Sequence, residues 1–200
     1  AEKLKRVAPA NLARGLIGFC NSGGAAHDLS MQTVRAYSKR PFFMAFQGAY
    51  HGRTIGALSL TTTSSELRRN SPPLISDVAY VPFPNSQISS RDSASSLTCI
   101  DQLRNTFATA VPPDQVAAIY TEPIQAHAGV IVPPDGFFKE LRQLCHEHNI
   151  LLVVDEAVTG LGTTGKMFGN EHWSTAPDPI IVTNTLTAGL PLAAVIGSKE

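Results

Sequence analysis

The chain has 200 residues, 43% of them hydrophobic, with 16 basic and 16 acidic side chains and a formal net charge of zero. That apolar content excludes general disorder, and the balanced charge leaves no electrostatic footprint for nucleic acid or an anionic membrane surface. The length fits one domain over 1–200, while a charged fraction of 16%, against about a quarter in an average soluble protein, predicts a surface partly covered by another subunit or domain.

Glu2, Leu4 and Val7 have helical spacing at the start; there is no initial Met and no apolar signal-peptide core, which leaves room for a longer parent protein. Leu16–Cys20 is a short apolar run, followed by the turn Asn21-Ser22-Gly23-Gly24 and a helical pattern through Ala26, Leu29, Thr33, Ala36 and Tyr37. Phe42–Phe46 reads as a strand, and so does the shorter Val78–Val81, with prolines beyond either end. Asn85–Ser96, half of it serine, reads as an exposed loop. Leu97, Ile100, Leu103 and Phe107 recur at helical spacing, and Val116–Tyr120 reads as a buried strand. Phe137, Phe138, Leu141, Leu144 and Cys145 mark a second clear helix, with Asp135 as N-cap and Asn149 as stop. Ile150–Val154 is continuous apolar sequence, the pattern of a strand buried on both faces; Ile180–Val182 and Ala193–Ile196 complete the set.

This alternation predicts an α/β fold: a seven-stranded, mostly parallel sheet with helices on both faces and one antiparallel strand. The antiparallel strand is the last, because only about ten residues without helical pattern precede it, too few for a crossover. No internal repeat is visible, and no apolar run approaches the ~18 residues of a membrane span.

In open α/β sheets ligands bind beyond the carboxyl ends of the strands, and four loops there carry unusual residues. Asn21–Ala26 places glycines between a strand and a helix start, which suits an anion, although a tight turn alone looks the same. Gly48–Thr54 holds Tyr50 and His51 between glycines and offers a ring face, or simply packs its tyrosine. Glu122-Pro123-Ile124-Gln125 follows one apolar strand and Asp155-Glu156 the most apolar one. A carboxylate there needs a partner, such as a protonated ring nitrogen, backbone N–H groups or solvent, since an unpaired buried charge costs several kcal/mol.

Other candidates have plain readings. In Cys145-His146-Glu147-His148 the cysteine faces the core at helical spacing and the other three read as a solvated helix end rather than a metal site. His127 and His172 have no visible partners and are read as structural or surface residues, and Arg68-Arg69 as a solvated loop. Cys20, Cys99 and Cys145 form no CxxC and read as small buried hydrophobes in a reducing, cytoplasmic compartment.

In order along the chain, a phosphate turn, a ring-stacking aromatic and a lone acid for a ring nitrogen outline pyridoxal 5'-phosphate. The sequence resembles the class-III pyridoxal-phosphate-dependent aminotransferases of fold type I through FCNSGGAAHD, FQGAYHGRTIGALSLT, the long stretch from AIYTEPIQAHAG to GKMFGNEHW, and PDPIIVTNTLTAGLPLAAV. GRTIGALSLT and VPFPN look most like the branch acting on 4-aminobutyrate and other ω-amino acids. The resemblance implies a large domain lacking the family's N-terminal segment and C-terminal small domain. It implies Gly23 and Gly24 on the cofactor phosphate, Tyr50 on the ring with His51 and Gly52 in support, Asp155 on the pyridine nitrogen, Glu122 at the ring edge and Val158 near the phenolic oxygen. The implied activity moves an amino group from an amino acid to a 2-oxo acid, in a homodimer.

Departures from the family pattern fall in the same loops. Gly24 and Ala25 stand where the family has Ser or Thr and then Glu, Val158 where it has Gln or a similar residue, and Thr163 where it has Arg. Counting back from Pro191 through Gly189, the position of the family's imine-forming lysine is Asn184. An amide neither condenses with an aldehyde nor carries a proton, and none of Lys3, Lys5, Lys39, Lys139, Lys166 and Lys199 lies in that turn. Two readings follow: an impaired transaminase, or a non-catalytic subunit or scaffold paired with an active homologue. Under either reading the protein associates in solution; sedimentation checks this, and a stable monomer with no tendency to associate overturns it.

Overall fold

The structure, a computed structural model, describes residues 1–85, 94–187 and 189–199. Its helices are α1 (Glu2–Val7), α2 (Gly23–Ser38), α3 (Ile55–Leu60), α4 (Ala94–Thr109) and α5 (Phe137–Glu147). Its strands are β1 (Leu16–Cys20), β2 (Phe42–Phe46), β3 (Val78–Val81), β4 (Val116–Thr121), β5 (Leu151–Asp155), β6 (Pro179–Val182) and β7 (Ala193–Gly197). They form one seven-stranded sheet in the order β1-β7-β6-β5-β4-β2-β3. β7 is antiparallel to both β1 and β6, and the other strand pairings of the sheet are parallel.

The two-residue period of the strands separates two cores. On one face Met44, Phe46, Ile119, Leu152, Val154 and Ile180 pack with Ile100 and Leu103 of α4 and Phe137, Phe138, Leu141 and Leu144 of α5. On the other, Phe43, Ala45, Tyr120, Val153 and Ile181 pack with Ala26, Met31 and Val34 of α2. Both faces of β4 and β5 are therefore covered, which accounts for their unbroken apolar sequence. Because β1 and β2 lie in opposite halves of the sheet, α2 crosses the face between them. Its first turn stays beside the carboxyl ends of β5 and β6, where the loops after β1, β2, β5 and β6 emerge together.

Several sequence readings need correction. The N-cap of α5 is Gly136, with no side-chain cap, and Asp135 lies one residue too early, whereas Asn149 ends the helix as read, in a left-handed conformation just past its C-cap. Tyr37 has helical spacing but faces out, 63% exposed. Of the serine-rich segment, residues 86–93 lie outside the described residues, and Ala94, Ser95 and Ser96 belong to α4 rather than to a loop. Arg68 is not simply solvated: its guanidinium donates to the carbonyls of Thr61 and Ser59 and to the Tyr80 hydroxyl, bracing the segment after α3 against β3. α3 carried no clear periodic signal, being one and a half turns of small and apolar residues that are buried at Gly56 through Leu60.

Phe137 is fully buried, with its ring edge-on to Phe46, Phe83 and Phe138. Phe137→Ala is expected to lower unfolding free energy by about 3–5 kcal/mol, whereas Tyr37→Ala on the exposed side of α2 stays within about 0.5 kcal/mol. Urea titration of both variants checks the contrast.

Candidate active site

A cavity of about 460 Å³ opens at the carboxyl ends of the strands, and Gly23, Gly24, Tyr50, His51, Gly52, Asp155, Val158 and Asn184 all line it. The four loops thus converge, with one exception. Glu122 is not among the lining residues; it is buried, and its Oε2 accepts the Tyr50 N–H at 3.2 Å. Among the described residues no lysine lines the cavity.

One wall is the start of α2. Ser22 is its N-cap, and its Oγ accepts the Ala25 N–H at 3.2 Å. The N–H groups of Gly23 and Gly24 have no carbonyl partner within the helix, and the dipole end favours negative charge. Gly24 and Gly52 touch: a Cβ on Gly52 would lie 2.9 Å from the Gly24 Cα, and one on Gly24 would lie 3.0 Å from the Thr54 Oγ1. Gly52 also has φ +135, outside the range of ordinary side chains. The loop after β2 is thereby pressed onto the helix start, and Thr54 Oγ1 fixes it by donating to Asp28 Oδ1 at 2.9 Å.

The floor of the cavity is Asp155, the last residue of β5, 2% exposed. Its Oδ1 accepts the Ala157 N–H at 2.9 Å. Its Oδ2 faces two imidazoles, His27 Nε2 at 2.9 Å and His51 Nδ1 at 2.7 Å. Burial favours the neutral acid, but His27 and His51 outweigh it and hold the Asp155 carboxyl below the ordinary range. Burial also opposes a charge on His27, yet the Asp155 carboxylate and its hydrogen bond raise that imidazole above its ordinary value. His51 goes down, because burial outweighs its bond to Asp155. Glu156, next along, is enclosed by the N–H groups of Gly169 and Asn170 and by the Thr159 hydroxyl, and serves the fold.

The sequence reading missed His27. It lies four residues after Gly23, so it falls on the same helix face as the glycine turn, but nothing local marks its partner, 128 residues away. His127 is corrected: it lines the cavity and stacks on Tyr50, ring centroids 4.4 Å apart. His172 stays a surface residue on Thr164, and His146 and Glu147 sit at the exposed end of α5. Ser22, His27, Arg53, Thr54, Ala157 and Thr183 also line the cavity.

Comparison with known proteins places these features in context. The class-III aminotransferase family model matches residues 1–200. The alanine/serine racemase of Pyrococcus horikoshii is 40% identical over all of this chain and 44% of the racemase; the acetylornithine aminotransferase of Methanopyrus kandleri is 36% identical over all of this chain and 46% of that enzyme. Among solved structures, a transaminase from the marine bacterium Virgibacillus superposes with a TM-score of 0.89 at 29% identity, covering 98% of this chain and 44% of its own. A PLP-bound amine transaminase from an uncultivated Pseudomonas species gives 0.86 at 30% identity, covering 92% and 44%. The chain spans less than half the length of these relatives.

The buried Glu122 gives a measurable pH signature. Burial, and then the charge of Asp155, push its carboxyl from 4.5 up to about 9. A folded-state value above the unfolded one means that the native state keeps a proton the unfolded state has lost, so stability falls as pH rises through this window, at up to about 1.4 kcal/mol per pH unit. Glu122→Gln, which preserves an acceptor for the Tyr50 N–H, is expected to flatten that fall between about pH 4.5 and 9. Denaturant melts across this range check it; parallel slopes for both proteins refute it.

Proposed function

Because the chain belongs to the class-III aminotransferase family, we propose that its cavity is a pyridoxal-phosphate site that keeps the phosphate cradle and has lost the catalytic amine. The α2 start, with Gly23 and Gly24, suits the phosphate, and Tyr50 offers an aromatic face. The groups for the rest of the cofactor fit poorly. Asn184, which the motif count puts at the position of the family's lysine, lines the cavity, and Asp155 Oδ2 already faces two imidazoles. In a lysine-dependent reaction the amine both bonds the cofactor carbonyl and moves a proton, the latter worth roughly 10²–10⁴ in rate. The Asn184 amide does neither.

The single observation carrying this reading is the placement of Asn184 on the cavity wall with no lysine beside it among the described residues. The expected behaviour is weak, reversible binding of the phosphorylated ring and little or no amino transfer between a small amino acid and a 2-oxo acid. The loss of a family hydroxyl at Gly24 weakens the phosphate further, by about 1.5–3 kcal/mol for one charge-assisted bond.

The test restores the lysine. In the full natural polypeptide, Asn184→Lys is expected to give visible-range absorbance that survives dialysis with added cofactor, and amino transfer at least about 10²-fold above the parent. Robust turnover by the unmutated protein overturns the proposal, and absence of stable absorbance in the lysine variant counts against the cavity being a cofactor site.

A further inference from the structure

His27 has an acceptor at each ring nitrogen. Nδ1 lies 2.8 Å from the Gly23 carbonyl and Nε2 lies 2.9 Å from Asp155 Oδ2. A carbonyl oxygen has no proton to give, so Nδ1 is the donor there. Nε2 then either carries a second proton or sets a lone pair against a carboxylate oxygen. A proton in that contact belongs to the imidazole, because the carboxylate already receives N–H groups from Ala157 and from His51, and both favour its charged form. His51 is the neutral member of the group. Its Nδ1 donates to Asp155, and its Nε2 is buried without a hydrogen-bond partner among the described residues. The other titratable groups around His27 do not change this assignment. Asp28, its neighbour on α2, adds negative charge; Tyr120 of β4 lies 6.4 Å away ring to ring and is held neutral by burial; Glu122 at the end of β4 is held protonated by burial.

We propose that His27 is a buried imidazolium serving Asp155 as an internal counter-ion, so that the cavity accepts a phosphorylated aromatic ring without needing a protonated ring nitrogen. The chain carries, covalently, the positive charge that a pyridinium would otherwise bring to Asp155. The two opposite charges cancel beneath the cavity floor, 1% and 2% exposed, before any ligand enters. An aromatic ring seated on Tyr50 then gains from its phosphate and its face, and a nitrogen at its edge meets a carboxylate oxygen already engaged twice. The ligand class is therefore wider than pyridines. This specificity argument rests on the cofactor-site reading above; the charge assignment does not.

The two parts are tested separately. In ligand-free protein with 15N-labelled histidine, one ring, identified by its loss in His27→Asn, is expected to show protons on both nitrogens at pH 7.5 and to keep them well above the usual imidazole range. A neutral His27 at pH 7 overturns the charge assignment, and so does stoichiometric zinc binding that removes its Nε2 proton. Calorimetry then compares pyridoxine 5'-phosphate with benzyl phosphate, which has no ring nitrogen. The unmodified protein is expected to bind both within about threefold, and His27→Asn to prefer the pyridine by at least about tenfold, because the freed carboxylate can take a charged N–H donor. A tenfold preference for the pyridine in the unmodified protein refutes the specificity. Failure of both phosphates to bind at millimolar concentration removes the ligand half together with the cofactor-site reading, while the NMR result still decides the charge on His27.

Discussion

Asp155 ends a strand covered on both faces, and its carboxylate is out of water. Charge in that position costs several kcal/mol unless it is met by well-placed donors. Three donors meet it, one from its own loop, one from the first turns of α2 and one from the loop after β2. The same bonds that solvate the charge tie three separate stretches of chain into one cavity floor. Removing one imidazole would therefore loosen the junction as well as change the local charge.

The walls depend on that junction. The loop carrying Tyr50 and His51 can reach Asp155 only if it lies flat on the start of α2, and Gly52 against Gly24 is what permits the approach. Asp28 and Thr54 close the same contact from the outer side. The helix start is thus aimed at the cavity by packing, while its unpaired N–H groups and dipole make that end attractive to anions.

The site is electrostatically compact. With the proton assignment proposed for His27 from its two acceptors, the His27–Asp155 pair, the neutral His51 and the protonated Glu122 leave no net charge beneath the ligand space. Attraction for an anion comes instead from the α2 start and from Arg53 at the rim. Asn184 sits on the opposite side of this economy: it lines the cavity with a side chain that hydrogen-bonds but does not titrate.

The sequence by itself determined the seven strands, the antiparallel direction of the last one and the meeting of three of its four marked loops in one cavity, while the Glu122 loop stays behind the wall, because apolar periodicity and connection length are local properties of the chain. It also marked Asp155, Tyr50 and Asn184 as residues of one site, since a charge after an apolar run and an aromatic between glycines are visible without coordinates, and all three line the cavity. What only the tertiary structure decided is who meets whom. His27 became the partner of Asp155, His127 became the stacking partner of Tyr50, and Arg68 became a brace rather than a solvated charge. Nothing next to those residues in the chain encodes these roles: a hydrogen bond depends on distance and desolvation, and both are fixed only when segments remote in sequence are packed against the same end of the sheet.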